Sequence, residues 1–252
     1  MKIFDSHAHY DDPRFDQDRY ELLDYLNQND YRIINIGADI KTSKQCVELA
    51  QRYKNVYATV GIHPHDINAV SDQDLITLEE LAGNNKVVAI GEIGLDYHYE
   101  NTIVQNQKYY FVEQIRLAKK LHLPMVIHSR DADLDTFTII NQENIKNAVV
   151  HCFSGSLERA NQYVKMGLYI GIGGSITFKN AKKTLDVVKG IPIENILIET
   201  DAPYLCPEPN RGKRNDSSQL IHVINKIAEI KNMDIQDVAS ITYGNALKFY
   251  RI

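Results

Sequence analysis

The chain has 252 residues, 44% apolar and 24% charged, with a net charge of -5. This composition suits an ordinary soluble globular protein with a full-sized core. The charge argues against a surface that binds nucleic acid all over, though not against a local positive site. No apolar run nears the roughly 20 residues needed to span a bilayer, and no basic, then apolar, leader opens the sequence, so a cytoplasmic protein with no membrane contact is expected. The three cysteines (Cys46, Cys152, Cys206) form no CxxC pair and are read as reduced, buried thiols.

Short β-branched or apolar runs recur at Ile3-Phe4, Arg32 to Ile36, Val56 to Val60, Val87 to Ile90, Met125 to Ile127, Ala148 to Val150, Leu168 to Ile172 and Ile196 to Ile198. Most are too apolar to be half-solvated, which suits strands buried on both faces of a parallel sheet. Helical periodicity fills the gaps: Asp18 to Asn29, Thr42 to Tyr53, a helix N-capped by Ser71 with Asp74 three residues on, Asn106 to Leu121, Asp131 to Ile140, Leu157 to Met166 and Asn180 to Lys189. Gly167 and Gly190 read as C-terminal glycine stops. Two more helices, Gln219 to Ile230 and Ile235 to Tyr250, follow the last strand. Eight strands alternating with helices predict a (β/α)8 TIM barrel occupying residues 1–252 as one domain, and no low-complexity linker divides them. A doubly wound open sheet is the alternative, but its first strand would lead into a glycine-rich phosphate loop. Ser6-His7-Ala8-His9 stands there instead.

Function in such a barrel collects where the strands end. Six of the nine histidines fall there: His7, His9, His63, His65, His128 and His151; the other three are His98, His122 and His222. Glu92 ends strand four, and Asp201 follows strand eight. Residues two apart in a strand share a face, so His7 and His9 point together. Sorted by chemistry, His7, His9 and Asp201 can hold one ion, His128 and His151 a second, and Glu92 can bridge both. Mixed imidazole and carboxylate ligands suit Zn, Mn, Fe or Co, and the shared carboxylates also permit Mg or Mn. Two such ions, less the charges of Glu92 and Asp201, leave a site of about +2 that favours an anionic substrate. Asp201 is the candidate general base toward a metal-activated water. His63 and His65, not required as ligands, are candidates for binding the scissile phosphate or protonating the leaving oxygen. Arg130 should share the face of His128, and Arg211, Lys213 and Arg214 lie after strand eight, where barrels often bind phosphate. Tyr97, Tyr204 and Phe178 are candidate stacking surfaces for a nucleobase.

These residues carry a resemblance. Asp5-Ser6-His7-Ala8-His9, Gly61-Ile62-His63-Pro64-His65, Gly91-Glu92-Ile93-Gly94-Leu95-Asp96, His128-Ser129-Arg130, His151-Cys152-Phe153-Ser154-Gly155, Thr200-Asp201-Ala202-Pro203-Tyr204 and Arg211-Gly212-Lys213-Arg214-Asn215 together resemble the TatD-type metal-dependent deoxyribonucleases of the amidohydrolase superfamily, in order and over essentially the whole chain. The resemblance implies His7, His9, Glu92, His128, His151 and Asp201 as metal ligands. It also implies hydrolysis of DNA phosphodiesters, as a 3′-5′ exonuclease on single strands, with DNA as partner and no obligate protein partner. One departure stands out: the family's acidic residue and proline after Arg-Asn become Asp216-Ser217, which puts the shape of that loop in question. Hydrolysis of another ester or amide, such as the ester of D-aminoacyl-tRNA, is the alternative activity, since the same activated water attacks a carbonyl. A non-catalytic barrel is the alternative class, against which the complete ligand set argues.

Overall fold

The protein is described here by a computed structural model covering residues 1–67, 70–99 and 103–252. Strands and helices alternate in chain order: β1 (Ile3–Ala8), α1 (Arg19–Gln28), β2 (Tyr31–Ile36), α2 (Ile40–Arg52), β3 (Val56–Val60), α3 (Asp72–Ala82), β4 (Val87–Asp96), α4 (Val104–Leu121), β5 (Met125–Arg130), α5 (Asp133–Gln142), β6 (Ala148–Val150), α6 (Leu157–Lys165), β7 (Tyr169–Ile172), α7 (Lys182–Gly190) and β8 (Ile196–Ile198), then α8 (Leu220–Lys231) and α9 (Ile235–Tyr250). The strands pair in parallel in the order β1 to β8. A parallel bridge between Ala8 and Ala202 joins the first strand to the segment after the last. This is the expected (β/α)8 barrel, and its strands are buried along nearly their whole length, except at the start of β2 and the end of β5, as their apolar runs require.

Local chemistry sets the helix ends. The Asp39 carboxylate accepts from the Thr42 N–H at 2.6 Å and starts α2, and Ser156 caps α6 in the same way. At α3 the predicted pair reads in reverse, with the Asp74 carboxylate accepting from the Ser71 N–H at 2.8 Å. Gly167 stops α6 with φ of +86°, as expected. Gly190 does something else. It is the last residue of α7, and a Cβ there would lie 2.5 Å from a Leu157 methyl, so its smallness lets α6 and α7 approach.

Two strands run further than their apolar cores suggested. β4 continues through Glu92 to Asp96, and β5 through His128 to Arg130, because the two keep pairing (Gly94 with His128, Leu95 with Ser129, Asp96 with Arg130). His128 and Arg130 therefore sit on paired backbone rather than on a loop, which limits their freedom.

The seam between the chain's two ends is stitched by buried polar contacts. The Asp5 carboxylate, fully buried, accepts from Thr200 Oγ1 and Ser217 Oγ, both at 2.6 Å, and from the Thr200 N–H at 3.0 Å. Burial pushes its pKa up to about 6 against those bonds. Ser217 stands at the position of the missing proline, and its N–H donates to the Tyr10 hydroxyl at 2.9 Å. Proline has no N–H and could not make that bond, so the departure is accommodated by a new anchor for the loop. From the other side α9 closes the seam: Tyr250 donates its hydroxyl to the Ser6 carbonyl at 2.8 Å, and Asn245 donates to the Ile193 and Ile196 carbonyls.

Candidate metal centre

Five elements deliver the candidate ligands to one point at the mouth formed by the strand ends. β1 carries His7, and His9, one residue past the end of β1, is held by its N–H on the Ala202 carbonyl at 2.7 Å. Asp201 follows β8, with its N–H on the His7 carbonyl at 2.9 Å. The Nε2 atoms of His7 and His9 lie 3.2 Å apart. Asp201 Oδ1 is 3.7 and 3.5 Å from them. The other imidazole nitrogen of His9, Nδ1, is 3.0 Å from the Ile36 carbonyl. A carbonyl only accepts, so Nδ1 carries a proton, and it is the Nε2 lone pair that faces the site once Nε2 has given up its own proton.

A second group forms beside the first. His128 Nδ1 and His151 Nε2 are 3.1 Å apart, and Glu92 Oε1 is 2.8 Å from the former and 2.6 Å from the latter. Glu92 Oε2 faces the other way, 3.5 Å from His7 Nε2 and 4.0 Å from His9 Nε2. One carboxylate thus turns one oxygen to each group. All six residues named from the sequence as ligands converge in this way. The donor set is imidazole and carboxylate alone, several imidazole nitrogens crowd within hydrogen-bonding distance of one another, and His7, His9 and Asp201 on one side and His7, Glu92 and His151 across the two groups form clusters that could hold a metal ion. The residues present fit divalent cations in the manner of mixed N/O sites.

The geometry adds a third set. His63 Nε2 lies 3.8 Å from Glu92 Oε1, and His63, Glu92 and His128 also form a cluster within ligating range. The sequence reading set His63 aside from the ligands, whereas the structure places it against the same carboxylate. Two further carboxylates were given no role by that reading. Asp96 Oδ2 is 3.0 Å from His128 Nε2, behind the ring as seen from Glu92. Glu199 Oε1 is 3.7 Å from His151 Nδ1 and accepts from the Cys152 N–H. Such outer carboxylates orient metal-binding imidazoles. Strand parity could have found Asp96, which lies four residues after Glu92 on β4 and so on its face; Glu199 lies beyond the end of β8, where alternation gives no signal.

Burial and charge compete throughout. Burial alone would lower His9 and His128, but Asp201 beside the first and Asp96 and Glu92 beside the second outweigh it and raise both to about 9. Burial drives His7 down to about 4 and His63 to about 3. Burial would raise Glu92, yet the surrounding imidazoles hold it well below the usual carboxylate range. A raised folded-state pKa means that His9 and His128 keep their protons at neutral pH until a cation displaces them, and lose them unaided only as pH rises through about 9. Metal binding at pH 7 is therefore expected to release protons, from His9 and His128 at the least, and to strengthen as pH rises. Titration calorimetry in buffers of different ionisation heat measures this directly; a buffer-independent heat would contradict it.

The mouth is a cleft of about 700 Å³ that takes in His63, His65, Arg130 and Tyr204. Arg211 and Arg214, expected to bind substrate, are not in its lining. The Arg214 guanidinium is engaged by Asp18 at 2.7 and 2.6 Å and by the Arg14 carbonyl at 2.9 Å, and Arg211 lies 4.2 Å over the Phe178 ring. Of the three candidate stacking residues only Tyr204 faces the cleft. Tyr97 donates its hydroxyl to Asp135 at 2.9 Å.

A profile of the TatD related DNase family matches residues 4–251. The chain belongs to this family. It is 43% identical, over 99% of both chains, to a Bacillus subtilis (strain 168) protein named uncharacterized metal-dependent hydrolase YabD. It is 31% identical to the 3′-5′ ssDNA/RNA exonuclease TatD of Cronobacter sakazakii, over 98% of this chain and 97% of that one. Among solved structures, the TatD homologue YjjV of Escherichia coli K12 superposes with a TM-score of 0.94 at 31% identity, over 99% of this chain and 98% of that one. The chain thus stands among the metal-dependent hydrolases of the TatD family, with residues positioned to bind metal at the barrel mouth.

Proposed function

We propose that the protein hydrolyses phosphodiester bonds of DNA, removing nucleotides from the 3′ end of a single strand, with two divalent ions (Mg, Mn or Zn) held by His7, His9 and Asp201, by His128 and His151, and by Glu92 between them. The observation that carries this reading is the divided Glu92 carboxylate, one oxygen toward each imidazole group. Bound divalent ions would supply Lewis-acid charge to the phosphate and acidify water. The family and the Cronobacter relative's name support nucleic acid as substrate. The depth of the centre supports a single strand: His7 is fully buried and Glu92 nearly so, beneath the cleft, where a stacked duplex would not reach.

The chain's own groups divide the work. Asp201, held below the usual carboxylate range by His9 and His7 against its burial, is ionised at neutral pH and accepts the proton of the attacking water. His63 Nδ1 accepts the His65 N–H at 3.1 Å, so the ring proton sits on Nε2, toward Glu92. A ring this hard to protonate has no spare proton to give at pH 7. His63 therefore binds a phosphate oxygen as a hydrogen-bond donor rather than acting as the acid. Arg130 and His65, at the cleft wall, hold the remaining phosphate charge.

Purified protein supplied with Mn or Mg is expected to shorten a 5′-labelled single-stranded oligonucleotide stepwise, and a chelator is expected to stop it. Folded protein that leaves the strand intact with Mg, Mn and Zn alike would overturn the proposal. Turnover of D-aminoacyl-tRNA but not of DNA would assign the same site to ester hydrolysis.

A further inference from the structure

We infer that the cleft grips its substrate by the two nucleobases flanking the scissile phosphate, one on Tyr204 and one on Tyr99. This rests on the proposed nuclease activity. Both tyrosines line the same cleft, and each leaves 47% of its surface exposed. Tyr204 follows β8 and Tyr99 follows β4. In a barrel whose eight strands run in sequence order these are opposite walls, and Glu92, His151 and Asp201 lie in the lining between them. A strand crossing from one ring to the other would lay its phosphate over the candidate ligands.

Both rings are braced. The Arg14 guanidinium lies 4.0 Å over the Tyr204 ring and is fixed by Asp12 at 2.9 and 2.8 Å. The Tyr204 carbonyl accepts from Asn215 at 2.7 Å, which ties the residue to the loop after β8. On the other wall the His65 ring meets Tyr99 edge-on at 4.2 Å, and His98 does so at 5.1 Å. A fixed aromatic plate with an open side suits stacking, because little side-chain entropy remains to be lost on binding.

The cleft's charge points the same way. Arg19 is engaged by Asp16 and by the carbonyls of residues 10, 11 and 12. Lys41 and Arg130 share the lining with Asp11 and Asp66. Away from the metal centre the walls hold no excess of positive charge to grip a polyphosphate backbone, which leaves the bases to add to the hold that Arg130 and His65 have on the phosphate. Stacking tolerates any base, since each offers a π-face.

The test is steady-state cleavage of a short single-stranded oligonucleotide by the metal-loaded protein and its Tyr204→Ala, Tyr99→Ala, Tyr204→Phe and Tyr99→Phe variants. A second strand carries abasic sugars at the two 3′-terminal positions. Each alanine variant should raise KM for the natural strand roughly ten- to a hundredfold with kcat kept within about threefold, and each phenylalanine variant should restore it. The abasic strand should show the same raised KM with wild-type protein and no further rise with the alanine variants. Unchanged KM in the alanine variants, or an abasic strand handled as well as the natural one, would overturn the inference while leaving the nuclease activity standing. Phenylalanine variants as weak as alanine ones would also overturn it, because stacking needs only the ring. Wild-type protein that cleaves neither strand would remove both readings together.

Discussion

Glu92→Ala is expected to remove bound metal and activity together. Glu92 is 4% exposed, and its two oxygens are the only carboxylate oxygens that reach both imidazole groups among the described residues. Without it, His7, His9, His128 and His151 face one another with no shared counter-charge. The surrounding shifts show how much rests on that charge, since Glu92 raises His128 and His151 against the burial that would lower both. An incoming cation would find Asp201 as the one carboxylate left among the six ligands, and each set would have lost the oxygen that Glu92 turns to it. The variant should purify with little metal, and its activity should fall by at least about a thousandfold, in the range of losing charge stabilisation at a reaction centre. Elemental analysis beside the nuclease assay checks this. A metal-replete, active variant would refute the bridging role. Glu92→Gln preserves the volume and separates the loss of charge from a packing defect.

Asp201→Asn is expected to separate holding metal from moving a proton. Asparagine keeps an oxygen where Oδ1 stands, 3.7 and 3.5 Å from His7 and His9 Nε2, so much of the metal should remain. An amide accepts no proton at neutral pH, and kcat should fall roughly a hundred- to ten-thousandfold, the usual share of a general base. The sign in pH follows from the depressed carboxylate. In the wild type Asp201 is ionised from below its usual range upward, so its activity should be lost only as pH falls through that range. In the variant this acid limb should vanish together with the rate. Retained kcat with normal metal content would put the base elsewhere.

The two substitutions probe residues that the sequence made visible for different reasons. Glu92 and Asp201 could be named because acidic side chains ending apolar strands are costly unless used, and because their motifs come in barrel order. The same reasoning brought His7, His9, His128 and His151 to one rim. At Arg211 and Arg214 it left the contacts of the side chains hidden. A basic run beside a candidate phosphate site looks like substrate binding, but nothing in it discloses that Asp18, far away in the chain, takes up the Arg214 guanidinium. Tyr99 was missed for the converse reason. It is one of 15 tyrosines, and its place on the wall opposite Tyr204 exists only once β4 and β8 stand across a barrel.

By itself the sequence determined the barrel, the order of its strands, the rim where chemistry gathers and the six residues suited to metal. These are matters of local periodicity and of residue type, which neighbouring positions carry. Tertiary structure alone decided which nitrogen of each imidazole faces inward, the division of Glu92 between two groups, and the support of His128 by Asp96. It also decided how Ser217 replaces a proline by tying Tyr10 to Asp5 across the seam. Each of these depends on a hydrogen bond or contact between strands far apart in the chain, and directional interactions of that kind leave no periodic trace in the residues that make them.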